Sequence, residues 1–224
     1  MPTSSLKIIF LTALSSLACT TSLANPTGGQ KQTADLKDAE QLVWESLYAG
    51  GGSTLYCGQP FSQQSGLYTV SQIYNGKQLK RALRCSTDNQ CAVVNPRYPY
   101  MKADLHNLYP ALTRAELVRR NAQFGDLDDS AANKLADIGC QMQATFQLVE
   151  PRDDAKGNIA RAIFYMASEY DLPIIGSVQM YKQWNQIDPP DTAEKARNDK
   201  IAELQGIRNQ FIDNPSLAER ISNN

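Results

Sequence analysis

The sequence predicts an α+β protein, mixed and helix-rich, folded as a single domain. Three observations carry that reading. Helical periodicity recurs in several separate stretches, β-branched and aromatic residues gather in two short ones, and no repeat, heptad run or Pro/Gly-rich linker divides the chain. Of 224 residues, about 200 remain once an N-terminal export segment is set aside, a size that suits one core.

Residues 38–47 (DAEQLVWESL) space their apolar side chains as a helix does, with Asp35 or Asp38 at the N-terminus and Leu42, Val43 and Leu47 turned inward. Gly50-Gly51-Gly52 ends it. Residues 54–57 read as a short strand and residues 67–74 (LYTVSQIY) as a second, closed by the turn pair Asn75-Gly76. Residues 101–112 read as the helix that follows these strands, stopped or kinked at Pro110 because an interior proline costs about 3 kcal/mol. The clearest helix is 155–170, where Ile159, Ile163, Met166 and Tyr170 share one side and Arg161, Ser168 and Glu169 lie away from it. Leu172-Pro173 breaks it, and 178–186, 192–205 and 216–221 are further helical stretches.

The N-terminus reads as a signal for export. Lys7 precedes a short apolar run, Ile8 to Ala18, and Ser22-Leu23-Ala24 has the small-x-small form of a cleavage site. Residues 1–24 are therefore expected to be removed, leaving 25–224 as one domain with 25–37 as a loose leader. The apolar run is shorter than the roughly 20 residues a membrane span needs. A lipid-anchored form through Cys19 is the competing reading, weakened by Ser16 standing where an aliphatic residue belongs. The expected location is periplasmic or secreted.

Loss of the signal removes Cys19 and leaves Cys57, Cys85, Cys91 and Cys140. An even set in an oxidising compartment favours disulfides, with Cys85–Cys91 as a local loop and Cys57–Cys140 as a long-range staple. A zinc site is the alternative, but no C-x-x-C pair or second histidine completes it.

Net charge is −1 overall, which conceals a strong division along the chain. Residues 71–120 hold nine Lys or Arg against three Asp or Glu, net +6, whereas residues 121–224 hold ten against sixteen, net −6. Lys77, Lys80, Arg81 and Arg84 fall within eight residues, and Arg97, Lys102, Arg114, Arg119 and Arg120 follow. Such a stretch suits a polyanion through counterion release, or else forms a solvated helix face.

The run Asp104-Leu105-His106-Asn107-Leu108-Tyr109-Pro110 contains the one histidine of the sequence. On a helix, Asp104 and Asn107 share a face opposite Leu105 and Leu108, so that the leucines anchor it and the oxygen ligands project outward. A carboxylate and an amide carbonyl suit Mg²⁺ or another hard divalent cation.

This run, together with Leu55-Tyr56-Cys57-Gly58, Arg119-Arg120-Asn121, Lys156-Gly157-Asn158-Ile159-Ala160-Arg161, Trp184-Asn185 and Gln205-Gly206, resembles the bacterial endonuclease I family. The likeness extends from about Leu55 to Pro215. It implies a ββα-metal, or His-Me finger, core in a secreted or periplasmic nuclease, with Asn107 as a metal ligand. It also implies a Glu-His pair on the preceding strand, supplying a second ligand and the general base. Those positions are here Ser71 and Gln72, and the proline that follows in the family has become Asn75. A glutamine amide orients water but has no useful basicity, and Ser71 is at best a neutral ligand. An asparagine near the Arg-rich run is replaced by Glu116, and the family's Gln-Gly-Asn-Arg-Asn-Pro-Phe reads Gln205-Gly206-Ile207-Arg208-Asn209-Gln210-Phe211.

The expected function is a metal-dependent, sequence-nonspecific endonuclease acting on DNA or RNA as a monomer, with weak or absent activity. In it Asn107, Asp104 and Ser71 would hold Mg²⁺, His106 would replace the missing base at Gln72, and Arg84, Arg119 and Arg120 would grip the phosphate backbone. The alternative is a non-catalytic nucleic-acid-binding protein on the same scaffold.

Overall fold

Polar side chains at the helix starts set much of the element order in the computed structural model, which describes residues 28–128 and 130–222 together with Met1. The expected signal segment, with Cys19 and the cleavage site at Ala24, lies outside the described residues. Asp35 caps helix α1 (Leu36–Leu42) by accepting from Lys37 and Asp38 backbone N–H groups, and the chain continues through one wider turn, Val43–Leu47. Val43 is fully buried there, with Leu42 and Leu47 packed beside it.

The leader is not loose over its described part. Gln30 is buried, its backbone N–H donates to Tyr170 Oη at 3.1 Å, and its side-chain amide donates to the carbonyls of Tyr100 and Thr33.

After α1 the chain forms a two-residue strand pair, β1 (Gly52–Ser53) with β2 (Pro60–Phe61). Residues 54–57, expected as a strand, form the connecting turn instead: Gly58 N–H donates to Thr54 O, and Gly58 takes a φ of +65° that favours glycine. Strand β3 (Tyr68–Gln72) lies within the expected segment. The strand ends before the expected pair Asn75-Gly76, where Asn75 and Gln78 bond reciprocally in a capping box and start helix α2 (Gly76–Ala82). Helices α3 (Asp88–Val94) and α4 (Tyr98–Lys102) follow.

The largest departure from expectation lies at residues 101–112. Helix α4 stops at Lys102, residues Leu105–Asn107 make one 3₁₀ turn, and Leu108–Leu112 is strand β4, antiparallel to β3 with Val70 opposite Pro110. Proline breaks a helix interior, whereas a strand position that makes no use of its N–H tolerates it, and Pro110 still accepts from Leu55 N–H through its carbonyl. Helix α5 (Thr113–Arg119) leaves β4 directly. Two antiparallel strands followed by a helix are thus present, but they are β3, β4 and α5 rather than the expected set.

A small sheet places β7 (Leu148–Glu150) between β5 (Gln123–Phe124), parallel to it, and β6 (Gln143–Ala144), antiparallel. Helix α6 (Asp153–Tyr170) forms the centre of the domain, followed by α7 (Val178–Ile187), α8 (Thr192–Gln205), the single turn α9 (Gln210–Asp213) and a 3₁₀ segment, Pro215–Arg220. The α+β reading and the two expected disulfides, Cys57–Cys140 and Cys85–Cys91, are both present. Among the described residues no helix is long and apolar enough to cross a membrane.

Helix α6 has no broad solvent face: thirteen of its eighteen residues are buried, including Arg161 and Glu169, which were expected to point away from the core. Arg161 is accommodated because every arm is bonded. Nε and Nη2 donate to the two carboxylate oxygens of Glu194 at 2.9 and 2.5 Å, and Nη1 donates to Asn185 Oδ1 and the Asp188 carbonyl. That planar fork is the geometry in which a buried ion pair is best compensated. The contact has a backbone condition, since a Cβ on Gly157 would lie 1.9 Å from Asp188 O. Gly157→Ala is therefore expected to cost at least about 1–3 kcal/mol through overpacking against backbone. Urea unfolding midpoints will check it, and an unchanged midpoint would mean that α6 and α7 can separate freely.

Candidate functional site

The expected site residues divide into two groups, one sealed inside the domain and one bordering an open cleft. Asp104, His106 and Asn107 belong to the first. All three are buried, which overturns the expectation that their side chains project outward from a helix. A 3₁₀ turn does place residues three apart on one side, but here both side chains meet the core rather than solvent, Asp104 against Tyr165 and Tyr170 and Asn107 against Tyr74.

Each of the three has a structural post. Asn107 accepts from Tyr74 N–H at 2.6 Å and donates to Tyr74 O at 2.9 Å, clamping the end of β3 to the start of β4. Its amide oxygen is turned into the core towards that N–H rather than to solvent. Asp104 accepts from Tyr165 Oη at 2.8 Å, Tyr170 Oη at 2.6 Å and His106 N–H at 2.9 Å. Burial pushes its carboxyl up to about 6 in spite of those donors. The His106 ring lies 4.5 Å from the Tyr165 ring and pairs through Nε2 with Ile207 O, while Nδ1 has no partner. Burial drives its pKa down to about 3, helped by the Arg197 charge. A sealed, neutral imidazole cannot collect a proton from a water at the surface.

The second group is built around Arg119. Its guanidinium is fully enclosed, with Nη1 donating to Ser71 Oγ at 2.9 Å and Gln72 O at 2.8 Å, and Nη2 donating to Ile73 O at 2.8 Å. Phe124 lies beneath it, 4.7 Å from ring centroid to guanidinium carbon. Ser71 also shares a 2.7 Å hydrogen bond with Tyr56 Oη, whose pKa is raised by burial. Glu116 comes within 3.5 Å of Arg119 through Oε1, and its Oε2 is enclosed without a hydrogen-bond partner. Gln72 donates its side-chain amide to Lys102 O. The structure therefore brings Ser71, Gln72 and Arg119 together and adds Glu116, which had been noted only as a replacement. It does not bring His106 into that cluster, and Arg119 is too enclosed to touch a backbone phosphate.

A divalent cation does not fit this donor set. Ser71 Oγ is already held by Arg119 and Tyr56, Asn107 and Asp104 are committed elsewhere, and Glu116 is the remaining carboxylate in contact with the cluster. Among the described residues no group of three or more His, Cys, Asp or Glu gathers to hold a metal. An ion on Glu116 would also stand beside the Arg119 guanidinium, and like charges about 4 Å apart near a surface repel by roughly 4 kcal/mol per unit pair.

Arg119 also lines a cleft of about 650 Å³ together with Lys77, Leu117, Arg120, Asn121, Lys134 and Phe146. Two neighbouring hollows, of about 430 and 370 Å³, continue it past Gln78 and Arg81 to Arg84. Apart from Arg119, which meets Glu116, the cations on this rim lack a salt bridge among the described residues. Lys80 and Lys102 both bind Asp88, Arg114 binds Asp137 and Lys156 binds Glu150, whereas Lys77, Arg81, Arg84, Arg120 and Lys134 form no salt bridge among the described residues. Two of them also sit on unfavourable backbone. Arg84 has φ 55° just past the end of α2, and Arg120 has φ 50°, ψ −112° at the end of α5, positions where glycine would be cheaper.

The strand pair thus feeds a helix, with a polar cluster at its base and beside it a basic cleft whose rim cations Lys77, Arg81, Arg84, Arg120 and Lys134 form no salt bridge among the described residues. The chain belongs to the Endonuclease I family, whose description matches residues 8–216. It is similar to an extracellular deoxyribonuclease of Aeromonas hydrophila, 36% identical over 118 residues, which is 50% of this chain and 50% of that protein. It is also similar to an extracellular ribonuclease of Bacillus amyloliquefaciens, 33% identical over 137 residues, 53% of this chain and 46% of that protein. A second extracellular deoxyribonuclease of Aeromonas hydrophila is 29% identical over 194 residues, 75% of this chain and 84% of that protein. The chain therefore spans about half the length of the first two.

Asp104 and His106 predict an unusual acid response. Asp104, raised from 3.8 to about 6, binds its proton more readily when folded, so its contribution to stability falls as pH rises through that window. His106, lowered from 6.5 to about 3, is protonated first in the unfolded chain, so stability is lost as pH falls from 6.5 towards 3. The two slopes oppose each other between about pH 4 and 6. Wild-type stability is expected to be nearly flat there and to fall below pH 4, while Asp104→Asn should decline steadily from pH 6.5 and His106→Phe should lose the acid-side decline. Chemical denaturation at stepped pH measures all three, and parallel curves for wild type and Asp104→Asn would refute the assignment.

Proposed function

We propose that the protein is an exported, sequence-nonspecific nuclease that holds nucleic acid in the basic cleft and hydrolyses its phosphodiester bonds slowly. The observation that carries this is the row of un-neutralised cations, Lys77, Arg81, Arg84, Arg120 and Lys134, bordering the Ser71–Glu116–Arg119 cluster in a chain of a nuclease family. The names of its relatives, extracellular deoxyribonuclease and extracellular ribonuclease, support nucleic acid as substrate and a location outside the cytoplasm. Two disulfides suit the same compartment.

In this reading β3, β4 and α5 are the finger of the fold, and Glu116 replaces the absent imidazole as proton acceptor. Its side chain is partly open to solvent, unlike His106, and its Oε2 has no donor; a turn of the carboxylate is needed for that oxygen to meet an attacking water. Arg120 and Lys77 hold the phosphate from the rim, while buried Arg119 keeps Ser71 and the end of β3 in place. No step is assigned to the magnesium that the family resemblance implies, because its ligands are not assembled. A specific observation favours the second reading, binding without cleavage: Gln72 stands where a base is needed, and Arg119 occupies the neighbourhood a cation would require.

Supercoiled plasmid separates the two. Residues 25–224 are expected to retain plasmid in EDTA and to nick it slowly, with Glu116→Ala reducing nicking by about 10²-fold or more while retention persists. Retention without nicking at protein excess would establish the binding reading. Nicking abolished by EDTA and restored by Mg²⁺ would overturn the donor-set argument.

Arg120 gives a second expectation. Arg120→Gly should relieve strain of order 1–3 kcal/mol, offset by about 0.4–1 kcal/mol of extra freedom in the unfolded chain, so the melting midpoint holds or rises. Plasmid affinity should fall, and the slope of log K against log salt should become shallower by about 1. A lowered midpoint with unchanged affinity would show that Arg120 is a structural residue alone.

A further inference from the structure

We infer that Phe146 is a base-stacking platform, and that the cleft therefore takes single-stranded nucleic acid in preference to duplex; the inference rests on the cleft being the nucleic-acid site. Phe146 is 95% exposed and is the aromatic residue among the exposed large hydrophobics of the described chain, the others being aliphatic side chains and Met1. Exposure of this kind is ordinary for a single side chain, but its placement is not. Phe146 lines both the 650 Å³ cleft and the 430 Å³ hollow, in company with Lys77 and Asn121, with Arg120 and Lys134 bordering the first and Arg81 the second.

The ring is held out by a fastened turn. Phe146 sits at the tip between β6 and β7, where Thr145 N–H donates to Leu148 O at 2.9 Å and Thr145 Oγ1 accepts from Leu148 N–H at 2.9 Å. Gln123 N–H donates to Gln147 O at 2.9 Å, which fixes the same tip to the segment that follows Arg119-Arg120-Asn121. A rigid aromatic with only two side-chain torsions loses little freedom when a ligand covers it. Cations that form no salt bridge among the described residues line the same hollows and suit the phosphates flanking a base laid on the ring. That combination, a positive groove with an exposed ring, is how strands are bound without sequence preference, since every base offers a π-face. In duplex nucleic acid the faces are already stacked on their neighbours, so the ring has nothing to receive.

The test uses phosphorothioate oligothymidylate, which resists cleavage, a phosphorothioate duplex of the same length, and an abasic strand, with binding read by fluorescence anisotropy. The unaltered protein is expected to bind oligothymidylate more tightly than the abasic strand or the duplex. Phe146→Ala should weaken oligothymidylate about 5- to 150-fold and leave duplex and abasic affinities unchanged. Phe146→Trp should restore binding, with indole fluorescence quenched as the base stacks. Equal effects of Phe146→Ala on all three ligands, or none on any, would overturn the stacking role while salt-dependent binding leaves the cleft reading intact. Absence of salt-dependent binding to every ligand would overturn both.

Discussion

A guanidinium removed entirely from water needs acceptors, and Arg119 finds them for both terminal nitrogens by drawing the end of β3 around itself, with Nε alone left without a partner. The carbonyls of Gln72 and Ile73 and the hydroxyl of Ser71 all turn towards it. Because Arg119 is the last residue of α5, this one side chain ties the helix back onto the strand pair and fixes where the chain re-emerges as Arg120. Breaking it would leave a buried charge without compensation, among the costliest changes a core can suffer. The cluster and the cleft beside it therefore share a single support.

That support also decides what chemistry the site can perform. Position 71 carries a hydroxyl that bonds Tyr56 and Arg119, and position 72 contributes its carbonyl to the same arginine. A cationic group built into the protein occupies the surroundings where an acidic strand residue would favour a bound ion. The remaining carboxylate, Glu116, comes from α5, three residues before Arg119 on the same helix. The cluster therefore offers a hydroxyl, an amide carbonyl and one carboxylate, while the imidazole of His106 lies sealed in the core.

The internal clamps follow a common logic. Asn107 on Tyr74, Asp104 on two tyrosines and Arg161 on Glu194 each place a fully bonded polar group where β4 or α6 passes through the core. Such groups fix register as well as contributing energy, since a shifted strand would leave each of them unpaired. The motif that looked most like chemistry in the sequence is thus largely framework. His106 is buried beside these clamps, its ring packed on Tyr165 with Nδ1 left without a partner.

Local information in the sequence was enough for α6, α7 and α8, where periodicity is long and Leu172-Pro173 marks the break; 192–205 was bounded correctly from end to end. It was also enough for the fold class, the two disulfide pairings, the basic middle of the chain and the absence of a second histidine. Two short segments misled it for one physical reason. The 3₁₀ turn at Leu105–Asn107 and the strand at Leu108–Leu112 are held by partners far away, β3 and the turn at Leu55, so their spacing imitates a helix that tertiary pairing forbids. Likewise nothing local tells Arg119 from Arg120: adjacent in sequence, one is sealed among carbonyls and the other is left at the rim of the cleft. Composition set the charge that the protein carries. Only the packing of α5 against β3 decided which of those charges meet solvent and which became structure.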